Sequence, residues 1–170
     1  MHMEPHTNNT HNEWMPSDTE QILTFSLNNE EYGVNILQVN EIREWTNITT
    51  IPDVPNYVRG VLNLRGNIVP IIDLRIRFSI EPIDYGPTTV VILLNIRNNE
   101  TENVIGIVVD SVSDTHSVSK EDIRDKPTVG GFIDIEYIQG LVNVDEYLVL
   151  LLDINKLLSE HQIEELKQAT

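Results

Sequence analysis

Cysteine is absent from the 170 residues, which excludes disulfides, thiolate zinc sites and cysteine nucleophiles and accords with a reducing compartment. Basic residues are scarce. Eleven Lys and Arg stand against 27 Asp and Glu, a net charge of −16 that repels polyanions and argues against a nucleic-acid partner. Long apolar runs are missing too: stretches such as Val90 to Leu94 and Leu148 to Leu152 fall far short of the roughly twenty residues a membrane-spanning helix needs. Residues 1–20 contain no Lys or Arg and no apolar run, so a signal peptide or anchor is not expected there, and the expected location is the cytoplasm. In that setting the Asn-X-Thr triplets at Asn8, Asn47 and Asn99 are read as chance matches to a glycosylation acceptor.

Catalytic groups are equally sparse. His2, His6 and His11 all fall ahead of Gln21, while His116 and His161 stand alone. No Gly-rich phosphate loop, nucleophile elbow or dinucleotide fingerprint occurs. Asp73, Asp110 and Asp153 each end an apolar strand-like run, the one pattern a small hydrolase could use. Asp73 and Asp153 also precede helix-like segments, where a carboxylate accepts hydrogen bonds from free backbone N–H groups, so capping explains them without acid–base chemistry. The expectation is a non-enzyme with no cofactor and no metal.

What is present is β-pattern. Residues 1–20, rich in Asn, Thr, His and acid, have too little apolar surface to offset the entropy of ordering and read as a disordered tail. From Gln21 onward Leu23, Phe25 and Leu27 alternate with polar residues, and Tyr32, Val34 and Ile36 do so after a turn at Asn28 to Glu30, the period of half-buried strands. The spacing then lengthens to three at Val39 and Ile42, which predicts a short helical turn leading into Trp45. Val61 to Leu64 and Ile68 to Ile72 predict a second hairpin, Leu74 to Phe78 a short helix, and Thr88 to Ile96 with Val104 to Val109 another strand pair. Ser159 and Gln162 fit a capping box ahead of a closing helix over 159–170.

The second half repeats the first. Gly60, Asn63, Val69 and Asp73 recur at one constant offset as Gly140, Asn143, Val149 and Asp153, without a gap. A shorter echo, at a slightly smaller offset, pairs Gly33, Val34, Ile36 and Val39 with Gly106, Ile107, Val109 and Val112. Duplication of this kind predicts two related β-subdomains, each curled into a small barrel that removes its edges, with a shared apolar seam between them.

Within the first copy, Gly60 to Gly66 reads G-V-L-N-L-R-G. Gly66 supplies the permissive backbone of a turn, Gly60 is expected to allow close approach of another chain, and Arg65 projects from the tip, placed to pair with a carboxylate. This stretch resembles the bacterial chemotaxis coupling proteins of the CheW family. So do E-E-Y-G-V-N-I-L-Q-V-N-E-I-R at Glu30 to Arg43, the P-x-x-P-x-x-V-R-G run from Pro52, P-I-I-D-L-R-I-R-F at Pro70 to Phe78 and G-I-V-V-D-x-V-S-D at Gly106 to Asp114. The resemblance implies an all-β fold of two intertwined SH3-like five-stranded barrels over residues 21–158. It also implies a non-enzymatic adaptor that couples the cytoplasmic tips of transmembrane chemoreceptors to the regulatory domain of the histidine kinase CheA, reaching the membrane only through partners. By position, Val39 and Glu41 are implied to meet the kinase, and Gly60, Arg65, Gly66, Val90, Val108 and Val112 the receptor. Thr115 and His116 depart from the aliphatic residues frequent at their positions in the family. The alternative is the CheW-like module of a CheV-type regulator; such proteins add a receiver domain, for which the chain after this module leaves no room.

Overall fold

The computed structural model describes residues 18–98, 100–126 and 135–169. The tail histidines, the Asn8 triplet, Asn99 and most of the expected tail lie outside the described residues. Strand β1 is already formed at Thr19, ahead of Gln21 where folding was expected to begin.

Among the described residues ten strands follow in order: β1 (Thr19–Leu27), β2 (Glu30–Asn35), β3 (Val39–Glu44), β4 (Val58–Leu64), β5 (Asn67–Asp73), β6 (Val90–Asn98), β7 (Thr101–Val109), β8 (Ser111–Ser119), β9 (Ile138–Val144) and β10 (Tyr147–Leu152). Two α-helices accompany them, α1 (Leu74–Arg77) and α2 (Glu160–Gln168), with four short 3-10 turns among the described residues. The strands form two five-stranded sheets, ordered β8-β1-β2-β10-β9 and β3-β6-β7-β5-β4. Substituting β6 for β1, β7 for β2, β3 for β8, β5 for β10 and β4 for β9 turns one order into the other.

The pairing registers obey both sequence offsets. Ile71 lies opposite Gly106 in the parallel β5–β7 pair, and its repeat mate Leu151 lies opposite Gly33 in the parallel β10–β2 pair. Backbone bonds repeat as well: Asp73 N–H donates to Tyr57 O at 2.8 Å, and Asp153 N–H to Tyr137 O at 2.9 Å. Each sheet is closed by an equivalent bridge, Thr49 with Val61 and Arg124 with Leu141, so the outer strands are tied to one another in both.

The halves of the chain are not the barrels, however. Sheet two takes β3, β4 and β5 from the first copy and β6 and β7 from the second; sheet one takes β1, β2 and β8–β10. Each copy thus lends its third strand, with the hairpin that follows, to the other's sheet.

Three apolar clusters result. Ile22, Val118, Val142, Val149 and Leu151 fill the first barrel, and Val69, Ile71, Val91, Leu93 and Val108 the second. The largest lies between them, where Phe25, Tyr32, Ile92, Leu94, Ile107 and Leu152 meet Ile163 and Leu166 of α2. That is the expected seam, and it is filled: Phe25, Tyr32, Phe78 and Tyr137 form a row of rings with centroids 5.8, 6.1 and 5.2 Å apart. Helix α2 is held at its start by the expected capping box, Ser159 Oγ accepting from Gln162 N–H at 3.1 Å and Gln162 Oε1 from Ser159 N–H at 2.9 Å.

Two local expectations need correction. The expected short helical turn is a 3-10 turn over Ile36–Gln38, and Val39–Glu44, which leads on to Trp45, is a strand. A bulge between Val39 and Glu41 inserts one residue opposite β6, while the in–out alternation of β3 stays regular. Strand β8, S-V-S-D-T-H-S-V-S, was not foreseen; it is polar enough to read as a loop, and pairing with β1 over its whole length makes it a strand.

Candidate functional site

The three strand-end aspartates are occupied structurally. Asp73 Oδ1 accepts from Ile76 N–H at 3.3 Å, capping α1, and Asp73 Oδ2 accepts from the Tyr85 hydroxyl at 2.5 Å. Burial is the first reason the Tyr85 hydroxyl is pushed above its ordinary pKa, and this bond is the second. Asp153 Oδ1 accepts from Asn155 N–H at 3.2 Å. Asp110 instead joins the subdomains. Its carboxylate receives two bonds from Arg75, at 2.8 and 2.7 Å, and one from Asn28 N–H in the β1–β2 turn at 2.9 Å. Burial pushes this carboxyl up, but the Arg75 and Asn28 bonds outweigh it and hold Asp110 below the usual carboxylate range. With its lone pairs so engaged, Asp110 is a strut. Among the described residues no group of three or more His, Asp or Glu is placed to hold a metal ion.

The residues assigned to partners are dispersed. Val90 and Val112 are half-buried on the rim of the seam; Val90 pairs with Val109, just ahead of Val112 in the chain, and Val112 lies opposite Phe25. These two share a neighbourhood. Val108 does not present its side chain there: it is 3 % exposed and points into the second barrel. Neighbours along a strand face opposite ways, so Val109 faces the seam and Val108 the interior. In a run as uniformly apolar as β7 that parity is hidden from the sequence.

Gly60 is also buried. Its φ is 147°, and a Cβ on it would lie 2.1 Å from the carbonyl oxygen of Thr49. The close approach expected at Gly60 is therefore made by Thr49 of the same chain, at the bridge that closes the barrel, and not by another chain.

Arg65 and Gly66 form the exposed tip of the β4–β5 hairpin, at φ 52° and 87°. Gly66 takes this conformation freely, whereas Arg65 occupies the left-handed region that side chains with a Cβ avoid. Asn63 Oδ1 steadies the turn by accepting from Gly66 N–H at 3.1 Å. Val108 lies opposite Asp73, at the other end of β5 from the tip. The expected receptor set is thus a seam rim, an exposed hairpin tip and two buried supports.

Val39 and Glu41 lie on β3, an outer strand of sheet two, both half-buried, with Glu41 3.6 Å from Arg43 in an ion pair. Beside them stand two apolar side chains that sequence reasoning did not select: Leu37, 85 % exposed on the 3-10 turn, and Ile42, 43 % exposed on β3. Regular alternation along β3, with Val39, Glu41 and Arg43 half-buried, puts Ile42 on the outer face. On the opposite sheet Tyr147 and Leu148 are likewise exposed at the start of β10. Among the described residues no helix is long and apolar enough to cross a membrane.

Comparison with known proteins accords with this architecture. Residues 21–162 match the family model described as the CheW-like domain. Over 144 residues, 85 % of this chain and 84 % of the relative, the sequence is 45 % identical to the chemotaxis protein CheW of Klebsiella aerogenes. It is 35 % identical, again over 144 residues, to the probable chemotaxis protein CheW of Rhizobium etli, covering 85 % of this chain and 90 % of that protein. Among solved structures it is similar to the scaffolding protein TtCheW of Thermoanaerobacter tengcongensis, with a TM-score of 0.75 and 31 % identity, covering 84 % of this chain and 92 % of that one.

Proposed function

The chain belongs to the CheW family, and from that premise we propose that it is a scaffold coupling chemoreceptor cytoplasmic tips to the regulatory domain of the histidine kinase CheA, without catalysis of its own. Kinase contact is assigned to the β3 edge, where Leu37 and Ile42 extend the surface of Val39 and Glu41. Receptor contact is assigned to the seam rim at Val90 and Val112 and to the Arg65–Gly66 hairpin tip, with Gly60 and Val108 acting only by shaping the second barrel behind them. The observation that supports the reading best is the exposed β3 edge at Leu37 and Ile42 together with the exposed Arg65–Gly66 tip, on one body that the Arg75–Asp110–Asn28 bonds brace across the subdomains. A coupler needs surfaces that two partners can occupy together and a body stiff enough to relate them. In this role the protein is cytoplasmic and reaches receptor arrays only through its partners.

The test is titration calorimetry of the purified chain against the CheA regulatory domain and against a receptor-tip fragment, singly and together. Binding to each, with one not displacing the other, is expected. Failure to bind either overturns the reading.

A further inference from the structure

The duplication provides an internal comparison of the two barrel mouths, and they differ. At the mouth of the second barrel, Leu93 and Val104 close the interior; Leu93 is fully buried and Val104 packs on the cluster beneath. Their structural mates in the first barrel are Thr24, opposite Gly33 as Leu93 is opposite Gly106, and Glu31, which the same offset that relates Gly33 to Gly106 carries onto Val104. A hydroxyl and a carboxylate thus replace two aliphatic plugs, and a groove of about 230 Å³ opens there. Val144 and Val149 make its apolar floor, continuous with the core of the first barrel, and Tyr147 makes one wall.

Its rim is anionic. Glu31, Asp114 and Asp145 line it with His116, and no Lys or Arg does. None of the three carboxylates is in a salt bridge among the described residues. The offset that relates Gly60 to Gly140 makes the reversal plain, since Asp145 holds the position that Arg65 holds in the other copy, each at a left-handed φ, 54° and 52°. The groove is also built rather than incidental. Strand β1 is bulged between Thr24 and Phe25, and Thr24 Oγ1 both donates to Asp114 O at 3.0 Å and accepts from Asp114 N–H at 3.2 Å, fixing that rim residue. Tyr147 and Leu148, 65 % and 45 % exposed, extend an apolar surface from its edge.

The geometry points to a third docking surface at the mouth of the first barrel, which receives a basic amphipathic segment of a partner protein: an apolar side chain enters over Val144 and Val149 while Lys or Arg beside it pairs with Glu31, Asp114 and Asp145. Charge complementarity selects this occupant, because an anionic or purely apolar segment would leave three carboxylates facing it unpaired. The site is distinct from the β3 edge, the seam rim and the Arg65 tip, and it does not depend on their assignments.

The test uses the full chain with a synthetic Leu/Lys amphipathic helical peptide as probe and its Leu/Glu counterpart as control, followed by backbone-amide NMR shifts. Shifts confined to Thr24, Glu31, Ser113 to His116 and Val144 to Val149 are expected with the Lys peptide and none with the Glu peptide. The double variant Glu31→Gln/Asp145→Asn, and separately Tyr147→Ala, should each weaken binding about tenfold with the spectrum of a folded protein retained. Three outcomes overturn the inference: shifts spread over the acidic surface at large, no binding, or unchanged affinity in both variants. Concentration-dependent shifts of the same residues without peptide would assign the groove to a second copy of the chain and overturn the separate partner.

Discussion

Arg65 carries opposite demands from stability and from binding, and one substitution separates them. Its φ of 52° lies in the left-handed region, which costs a residue with a branched or long side chain roughly 1–2 kcal/mol and Asn considerably less. The following residue, Gly66 at φ 87°, already suits a two-residue hairpin turn, and Asn-Gly is the pair most favoured in such turns. Arg65 is exposed, and no hydrogen bond or ion pair of its side chain exists among the described residues to be lost. Arg65→Asn should therefore stabilise the fold by about 1 kcal/mol, the strain difference between the two residues at this φ. For a chain of this size that raises the thermal midpoint by roughly 2–4 °C. The same change removes the guanidinium assigned to the receptor, so association with a receptor-tip fragment should weaken at least fivefold, the loss of about 1 kcal/mol or more that a contact residue gives on truncation. Differential scanning calorimetry and titration calorimetry on one preparation read both effects. A fall in midpoint would show that Arg65 is a structural residue and refute the strain argument; a raised midpoint with unchanged receptor affinity would refute its assignment to the receptor.

Gly60→Ala should lose about 3 kcal/mol in urea unfolding, because the new Cβ would lie 2.1 Å from Thr49 O, and relieving the overlap disrupts the Thr49–Val61 bonds of 3.0 and 2.8 Å that close the barrel. Asp110 gives a pH signature. Its carboxyl lies below the usual range when folded, so its contribution is complete above the unfolded value near 3.9 and is lost as pH falls through the folded value. Asp110→Asn should thus cost about 2 kcal/mol at neutral pH and flatten the acid limb of the stability–pH curve, and an unaltered limb would count against the strut. Leu37→Asp, at a side chain 85 % exposed, should leave the thermal midpoint within about 1 °C, as surface changes do, while weakening binding to the CheA regulatory domain in calorimetry.

The duplication made much of this fold legible. The two constant offsets, Gly60 onto Gly140 and Gly33 onto Gly106, anticipated two related β-subdomains with a seam between them, and local turn and capping chemistry anticipated the turn at Arg65 and Gly66 and the caps at Asp73 and Asp153. The failures have a common cause. Whether Val108 faces inward and whether β8 is a strand both depend on which distant strand pairs with which, and at what register. None of that is encoded in a local period. For the site this mattered more: the sequence pattern located the Arg65 turn, but not the β3 apolar edge, and it could not show that Gly60 serves its own barrel.

The exchange of strands between the two copies also sets an order of assembly. Sheet two is drawn from one uninterrupted stretch, β3 to β7, and its partners are all present once Val109 has been made. Sheet one must wait. Strands β1 and β2, made before any of these, pair with β8 and β10, so Thr19 meets Ser119 only once β8 has been made and Gly33 meets Leu151 only once β10 has. Loop-closure entropy penalises such distant pairings, and proteins rich in them fold slowly. During translation the second barrel can therefore form while a hairpin with an apolar face, carrying Phe25, Leu27 and Tyr32, waits for its remaining strands. That hairpin is the part of the chain most exposed to mispairing with another molecule before the first barrel closes.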